Sequence, residues 1–100
     1  MIDSQKRNWE NMKIAILGAS KTGLAASKLA KHIGAKVFVS DLNSNINLNQ
    51  FKGVEIELGE HSNKVLESDL IIKSPGIPNE ISILKKALSK NINIVSEILL

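Results

Sequence analysis

KIAILGASKTG, residues Lys13 to Gly23, is a short apolar run that ends in a glycine, with a second glycine five residues later. An alanine-rich amphipathic segment follows at once. A buried parallel strand that turns directly into a helix has this form. Such a turn leaves backbone N–H groups free at a helix N-terminus, a ready site for a phosphate. The stretch therefore points to a nucleotide-type ligand and to an α/β fold.

The rest of the chain repeats the alternation. Strand-like runs are expected at Lys13–Gly18, Lys36–Ser40, Val54–Leu58, Leu70–Ser74 and Asn93–Ser96, most of them bounded by glycine, asparagine or aspartate. Thr22 to Ile33 reads as a helix, with Ala25, Leu29 and Ile33 as its apolar stripe, Ala26 and Ala30 beside them, and Gly34 as a left-handed cap. A second helix is predicted from Ser82 to Lys90, with Ser82 as N-cap, Asn91 as left-handed cap, and Ile81, Leu84, Ala87 and Leu88 facing inward. A short helical turn is predicted over Asn63 to Glu67, and loops over Asn43–Gln50 and Pro75–Glu80. Strand–helix–strand order implies a Rossmann-like open parallel five-stranded sheet with helices on both faces.

The bulk numbers fit one such domain. The chain has 100 residues, 43% hydrophobic and 23% charged, as in an ordinary soluble globular protein. Its only aromatic residues are Trp9, Phe38 and Phe51, so the core must be aliphatic, as in buried parallel sheets. The net charge of +3 is spread over isolated basic residues and pairs such as Lys85-Lys86, without a basic stripe interleaved with aromatics, which argues against a nucleic-acid partner. With no cysteine in the chain, disulfides, thiolate metal sites and cysteine catalysis are excluded. The apolar runs are too short to cross a bilayer, and residues 1–12 read as a polar N-terminal extension rather than a signal peptide, so the expected location is cytoplasmic. Residues 13–100 form the expected domain. The apolar end, Glu97-Ile98-Leu99-Leu100, suggests a longer parent protein or residues that pack on something.

Four segments carry the candidate chemistry. Gly18-Ala19-Ser20-Lys21-Thr22-Gly23 resembles G-x-G-x-x-G with Ser20 in place of the middle glycine. Gly18 allows the tight turn and Gly23 allows close helix–strand contact, while Ser20 and Thr22 offer hydroxyls to a phosphate. The same residues fall short of a P-loop, because Leu24-Ala25 stand where lysine and the magnesium-binding hydroxyl belong. Asp41 ends the second strand, where an acid either accepts hydrogen bonds from a ribose or base, or starts a turn. Ser74-Pro75-Gly76-Ile77-Pro78 follows the fourth strand as a stiffened loop at the same edge. Gly59-Glu60-His61 admits acid–base chemistry, or a polar loop before a short helix. His32 is expected to be exposed on its helix, and no metal-ligand cluster is apparent.

Taken in order, G-x-x-x-T-G-L-A-A, V-x-V-S-D, L-G-E-H, D-L-I-I-K-S-P-G-I-P and I-V-S-E-I resemble the N-terminal domain of the UDP-N-acetylmuramoyl-L-alanine:D-glutamate ligases, a Mur ligase family of peptidoglycan synthesis. The resemblance runs from about Lys13 to Leu100, and its most specific part is S-P-G-I-P with the downstream S-E-I. It implies a domain that binds the UDP part of UDP-N-acetylmuramoyl-L-alanine and packs on a central domain that supplies ATP and magnesium. It implies that Ser20, Lys21 and Thr22 line the phosphates, that Asp41, Leu42 and Asn43 lie beside the uracil, and that Ser74, Pro75 and Gly76 lie near the nucleotide-sugar, with Gly23 also among the substrate-binding residues. Ser20 stands where the family often has glycine, Asn43 where some members have arginine, and Leu99 where a glutamate is usual. No G-[ST]-x-G-K-[ST] run is present, so no cofactor is expected on this segment itself, and ATP and magnesium belong to the full-length enzyme. An NAD(P)-binding domain of a dehydrogenase or nucleotide-sensing regulator is the alternative that the glycine turn leaves open.

Overall fold

The computed structural model describes residues 9–96. Five strands alternate with helical segments: β1 (Lys13–Leu17), α1 (Lys21–Ile33), β2 (Lys36–Asp41), a 3-10 turn at Leu48–Phe51, β3 (Glu55–Leu58), a 3-10 turn at Asn63–Glu67, β4 (Leu70–Lys73), α2 (Ser82–Ser89) and β5 (Asn93–Val95). All strand pairs are parallel, in the order β3-β2-β1-β4-β5. The chain starts in the middle, steps outward to β3, then returns to the other side of β1. That reversal between β1 and β4 opens a crevice at the C-terminal strand ends, where ligands bind in open α/β sheets.

Period-2 alternation divides the core between two faces. Ile14, Ile16, Val39, Leu70 and Ile72 pack with Ala26 and Ala30 of α1 and with Phe51. Ala15, Leu17 and Ile71 pack on the opposite face with Val65 and with Ile83, Leu84 and Ala87 of α2. Helical segments thus cover both faces, as expected. Trp9 and Met12 also pack against the first cluster, and the N–H of Lys36 donates to Met12 O at 2.8 Å, so residues preceding β1 contribute to the domain.

The helix stripes differ from the expected ones. In α1 the buried residues are Gly23, Ala26, Ser27 and Ala30, whereas Ala25, Leu29 and Ile33 are half-buried on the flank. The cause is close approach. A Cβ at Gly23 would overlap the Gly18 carbonyl oxygen, so the smallest side chains turn toward the sheet. In α2 the inward face is Ile83, Leu84 and Ala87, while Leu88 is 58% exposed. Ile81, not Ser82, holds the N-cap position, and its carbonyl accepts from the N–H groups of Leu84 and Lys85. Gly34 and Asn91 do adopt the left-handed conformation, at φ 102° and 61°. The asparagine-rich loop is more ordered than its composition suggests, because Asn43 and Asn47 each accept from the backbone N–H two residues on. The second of these bonds starts the 3-10 turn at Leu48. The apolar terminus Glu97–Leu100 lies outside the described residues.

Candidate functional site

Three of the sequence segments meet at the C-terminal ends of β2, β1 and β4. β1 is followed at once by Gly18, whose φ of 104° makes the turn and whose N–H donates to Ser40 O at 2.8 Å. A Cβ on Gly18 would sit 2.9 Å from Ser74 Cβ, so the loop after β4 lies directly against this turn. Ser74 N–H donates to Leu17 O at 2.9 Å, which continues the β1–β4 ladder into the loop. Ser20, Lys21 and Thr22 are exposed at the start of α1, where the first helical bond is Leu24 N–H to Ser20 O. The Ser20 hydroxyl makes no capping hydrogen bond, so it is available to an outside partner, as are the first-turn N–H groups.

Asp41 holds these segments in register. Its Oδ2 accepts from Ala19 N–H at 2.6 Å and its Oδ1 from Asn43 N–H at 2.7 Å. The turn role read from sequence is thus present: both oxygens have backbone donors, and each keeps a second lone pair. Leu42 beside it is 61% exposed, an apolar surface at the mouth of the crevice, and Asn43 is exposed next to it.

The loop Ser74–Pro78 is fixed from below by a buried lysine. Lys73, only 6% exposed, donates from Nζ to Ile77 O at 2.8 Å, and Ile77 N–H donates to Ser74 O at 3.0 Å. Pro75 and Gly76 are exposed, and no atom lies within 4 Å of where a Gly76 Cβ would be. Nothing inside the domain requires a glycine there.

A polar network lies beside these segments, at the ends of β2 and β3. Ser40 is fully buried in register with Glu57, and its Oγ lies 2.7 Å from Glu57 Oε2, 3.1 Å from Glu60 O and 2.7 Å from His61 Nδ1. Glu57 Oε2 also accepts from Ser62 N–H at 2.8 Å. Burial works to raise the Glu57 pKa, but hydrogen bonds from Ser62 and Ser40 and the nearby His61 outweigh it, leaving the carboxyl below its usual range. Burial pushes the His61 imidazole below its usual value, against the opposing negative charges of Asp41 and Glu57. The polar-loop reading of Gly59–His61 missed this linkage to Ser40 and Glu57. Its sequence signal is the charged alternation of Glu55-Ile56-Glu57, which turns two glutamates toward one face.

A separate cavity of about 230 Å³ opens at the opposite, N-terminal ends of the strands, lined in part by Lys13, Lys36, Phe38 and Glu55. Lys64 closes it, paired with Glu55 and with its ammonium 5.2 Å from the Phe38 ring centre. None of the strand-end segments reaches it. Among the described residues, no helix is long and apolar enough to cross a membrane.

The parallel sheet, the reversal at β1/β4 and the glycine turn define a Rossmann-like domain with its crevice at the strand C-termini. Shikimate dehydrogenase from Aquifex aeolicus shares this fold, with a TM-score of 0.59 over 88% of this chain and 43% of that one, at 18% identity. The family is narrower. Residues 12–96 match the family model for the Mur ligase MurD-like N-terminal domain, and the chain belongs to that family. It is 42% identical over 91 residues to the UDP-N-acetylmuramoylalanine–D-glutamate ligase of Elusimicrobium minutum, covering 90% of this chain and 20% of the relative. The enzymes of the same name from Cytophaga hutchinsonii and Geobacillus kaustophilus are 42% and 35% identical, over 88% and 92% of this chain and 21% and 22% of theirs. The chain therefore spans about a fifth of the length of the ligases it matches. The match supports the Mur ligase reading over an NAD(P)-binding domain.

Proposed function

We propose that this chain is the nucleotide-sugar-binding domain of an ATP-dependent ligase that adds D-glutamate to UDP-N-acetylmuramoyl-L-alanine in peptidoglycan synthesis, in the cytoplasm. The observation that carries the reading is the meeting of Ser20–Gly23, Asp41–Asn43 and Ser74–Gly76 at one crevice, within a chain of this family. The N-terminus of α1 offers N–H donors, the Ser20 and Thr22 hydroxyls and the Lys21 cation to the diphosphate. Leu42 offers an apolar surface to the base, and the open space above Gly76 admits the ligand close to the backbone.

The chemistry of ligation belongs elsewhere in this reading. A central domain brings ATP and magnesium and forms the acyl phosphate, and this domain packs on it. The role of the domain is to hold one reactant in place, and positioning of that kind removes up to ~7–11 kcal/mol from a barrier in ideal cases. Calorimetric titration of the chain tests the reading. Saturable heat with UDP-N-acetylmuramoyl-L-alanine and none with NAD is the expected result, and binding of NAD alone overturns it.

A further inference from the structure

Counting protons in the Ser40 network fixes the state of a side chain that the binding segments do not include. A serine has one O–H to donate. Ser40 Oγ lies 2.7 Å from a carboxylate oxygen of Glu57, and a carboxylate only accepts. The Ser40 proton must therefore point at Glu57 or at the Glu60 carbonyl oxygen 3.1 Å away, which also only accepts, since directing it at His61 would leave Oγ facing both acceptors. His61 Nδ1, also 2.7 Å from Ser40 Oγ, must then be the donor and carry the ring proton. In the neutral ring this leaves Nε2 as a bare acceptor. Nε2 has no hydrogen-bond partner among the described residues, and no buried side-chain nitrogen or oxygen among them is left unpaired, so Nε2 is not fully buried and is within reach of solvent. Asp41 on β2 and Glu57 on β3 are the charged groups that act on the ring.

We infer that His61 presents Nε2 as a hydrogen-bond acceptor to the nucleoside end of the ligand, taking an N–H of the base or an O–H of the ribose. The inference rests on the nucleotide-sugar reading above. Asp41, which stands in the expected acceptor position, already holds Ala19 and Asn43 with its two oxygens. His61 is held 2.7 Å from Ser40, the residue before Asp41 at the same strand end, and its Nε2 is unused by the described residues. Protonation of the ring would turn Nε2 from acceptor into donor, so binding through it weakens in acid.

The test combines the histidine's NMR signals with UDP binding. Long-range proton–nitrogen correlation spectra of the unliganded chain should show the Nδ1–H tautomer for His61, and its Nε2 signal should move on titration with UDP. His61→Leu should weaken UDP binding about tenfold, the loss of one hydrogen bond, and His61→Gln should restore part of it. The wild-type chain should also lose affinity for either 3-methyl-UDP or 2′-deoxy-UDP, and His61→Leu should lose none for the same analogue, which tells base from ribose. Ser40→Ala, which keeps the imidazole, should shift His61 toward the other tautomer and serves if His61→Leu fails to fold. An Nε2–H tautomer in the wild type, or equal UDP affinity of a folded His61→Leu, overturns the inference while leaving the nucleotide-sugar reading intact. A wild-type chain that binds neither UDP nor UDP-N-acetylmuramoyl-L-alanine overturns both.

Discussion

Two glycines at the site answer to different constraints. Gly23 faces the Gly18 carbonyl so closely that any side chain forces strand and helix apart. Gly23→Ala should lower the unfolding free energy by about 1–3 kcal/mol in urea denaturation, the usual cost of overpacking. A Cβ at Gly76 would meet no atom of the described residues within 4 Å, so Gly76→Ala should change stability by less than about 0.5 kcal/mol. If the ligand approaches that backbone, the same substitution should weaken nucleotide-sugar binding in the calorimeter, and unchanged affinity would place the ligand elsewhere. Asp41 is structural in either case. Asp41→Ala frees the N–H groups of Ala19 and Asn43 and should cost about 1–3 kcal/mol of stability, measured by the same denaturation.

At the scale of elements, the polar link between the ends of β2 and β3 makes the domain acid-sensitive. His61 has a folded-state pKa below its ordinary 6.5, so below that pH the unfolded chain takes up the proton first and stability falls. Glu57 is held below its ordinary 4.5, so its contribution is full above that value and is lost as pH falls through the lower folded pKa. Melting temperature should therefore decline in two stages on acidification, and His61→Gln should remove the first. The element pattern was legible in the sequence because strand alternation, Gly34 and Asn91 each answer to local sterics. The rotation of α1 was not: the sequence points to a close contact at Gly23, but not to the approach to the Gly18 carbonyl turning the smallest side chains inward, and hydrophobicity alone favours Leu29 over Ala26. Leu88 misled for a similar reason: an eight-residue helix has room for one buried face, and Ile83 and Leu84 take it. The alternation Glu55-Ile56-Glu57 places Glu57 on one face, but its meeting with Ser40 and His61 depends on β2–β3 register, which no short-range signal carries.

At the scale of the whole molecule, strand order puts three loops that are distant in sequence at one edge, in a chain of the MurD-like N-terminal family. The glycine turn alone suits many nucleotides, and a dehydrogenase at 18% identity shares the fold. Since the chain spans about a fifth of its relatives, it should bind without catalysing: incubation with UDP-N-acetylmuramoyl-L-alanine, D-glutamate, ATP and magnesium should give no ligated product by mass spectrometry. The most direct measurement is a proton–nitrogen shift titration of the labelled chain with UDP-N-acetylmuramoyl-L-alanine. Saturable shifts confined to Ser20–Gly23, Asp41–Asn43, His61 and Ser74–Gly76 are the predicted result. Shifts centred on the Lys13–Lys36–Glu55 end of the sheet, or none at any concentration, would contradict the account.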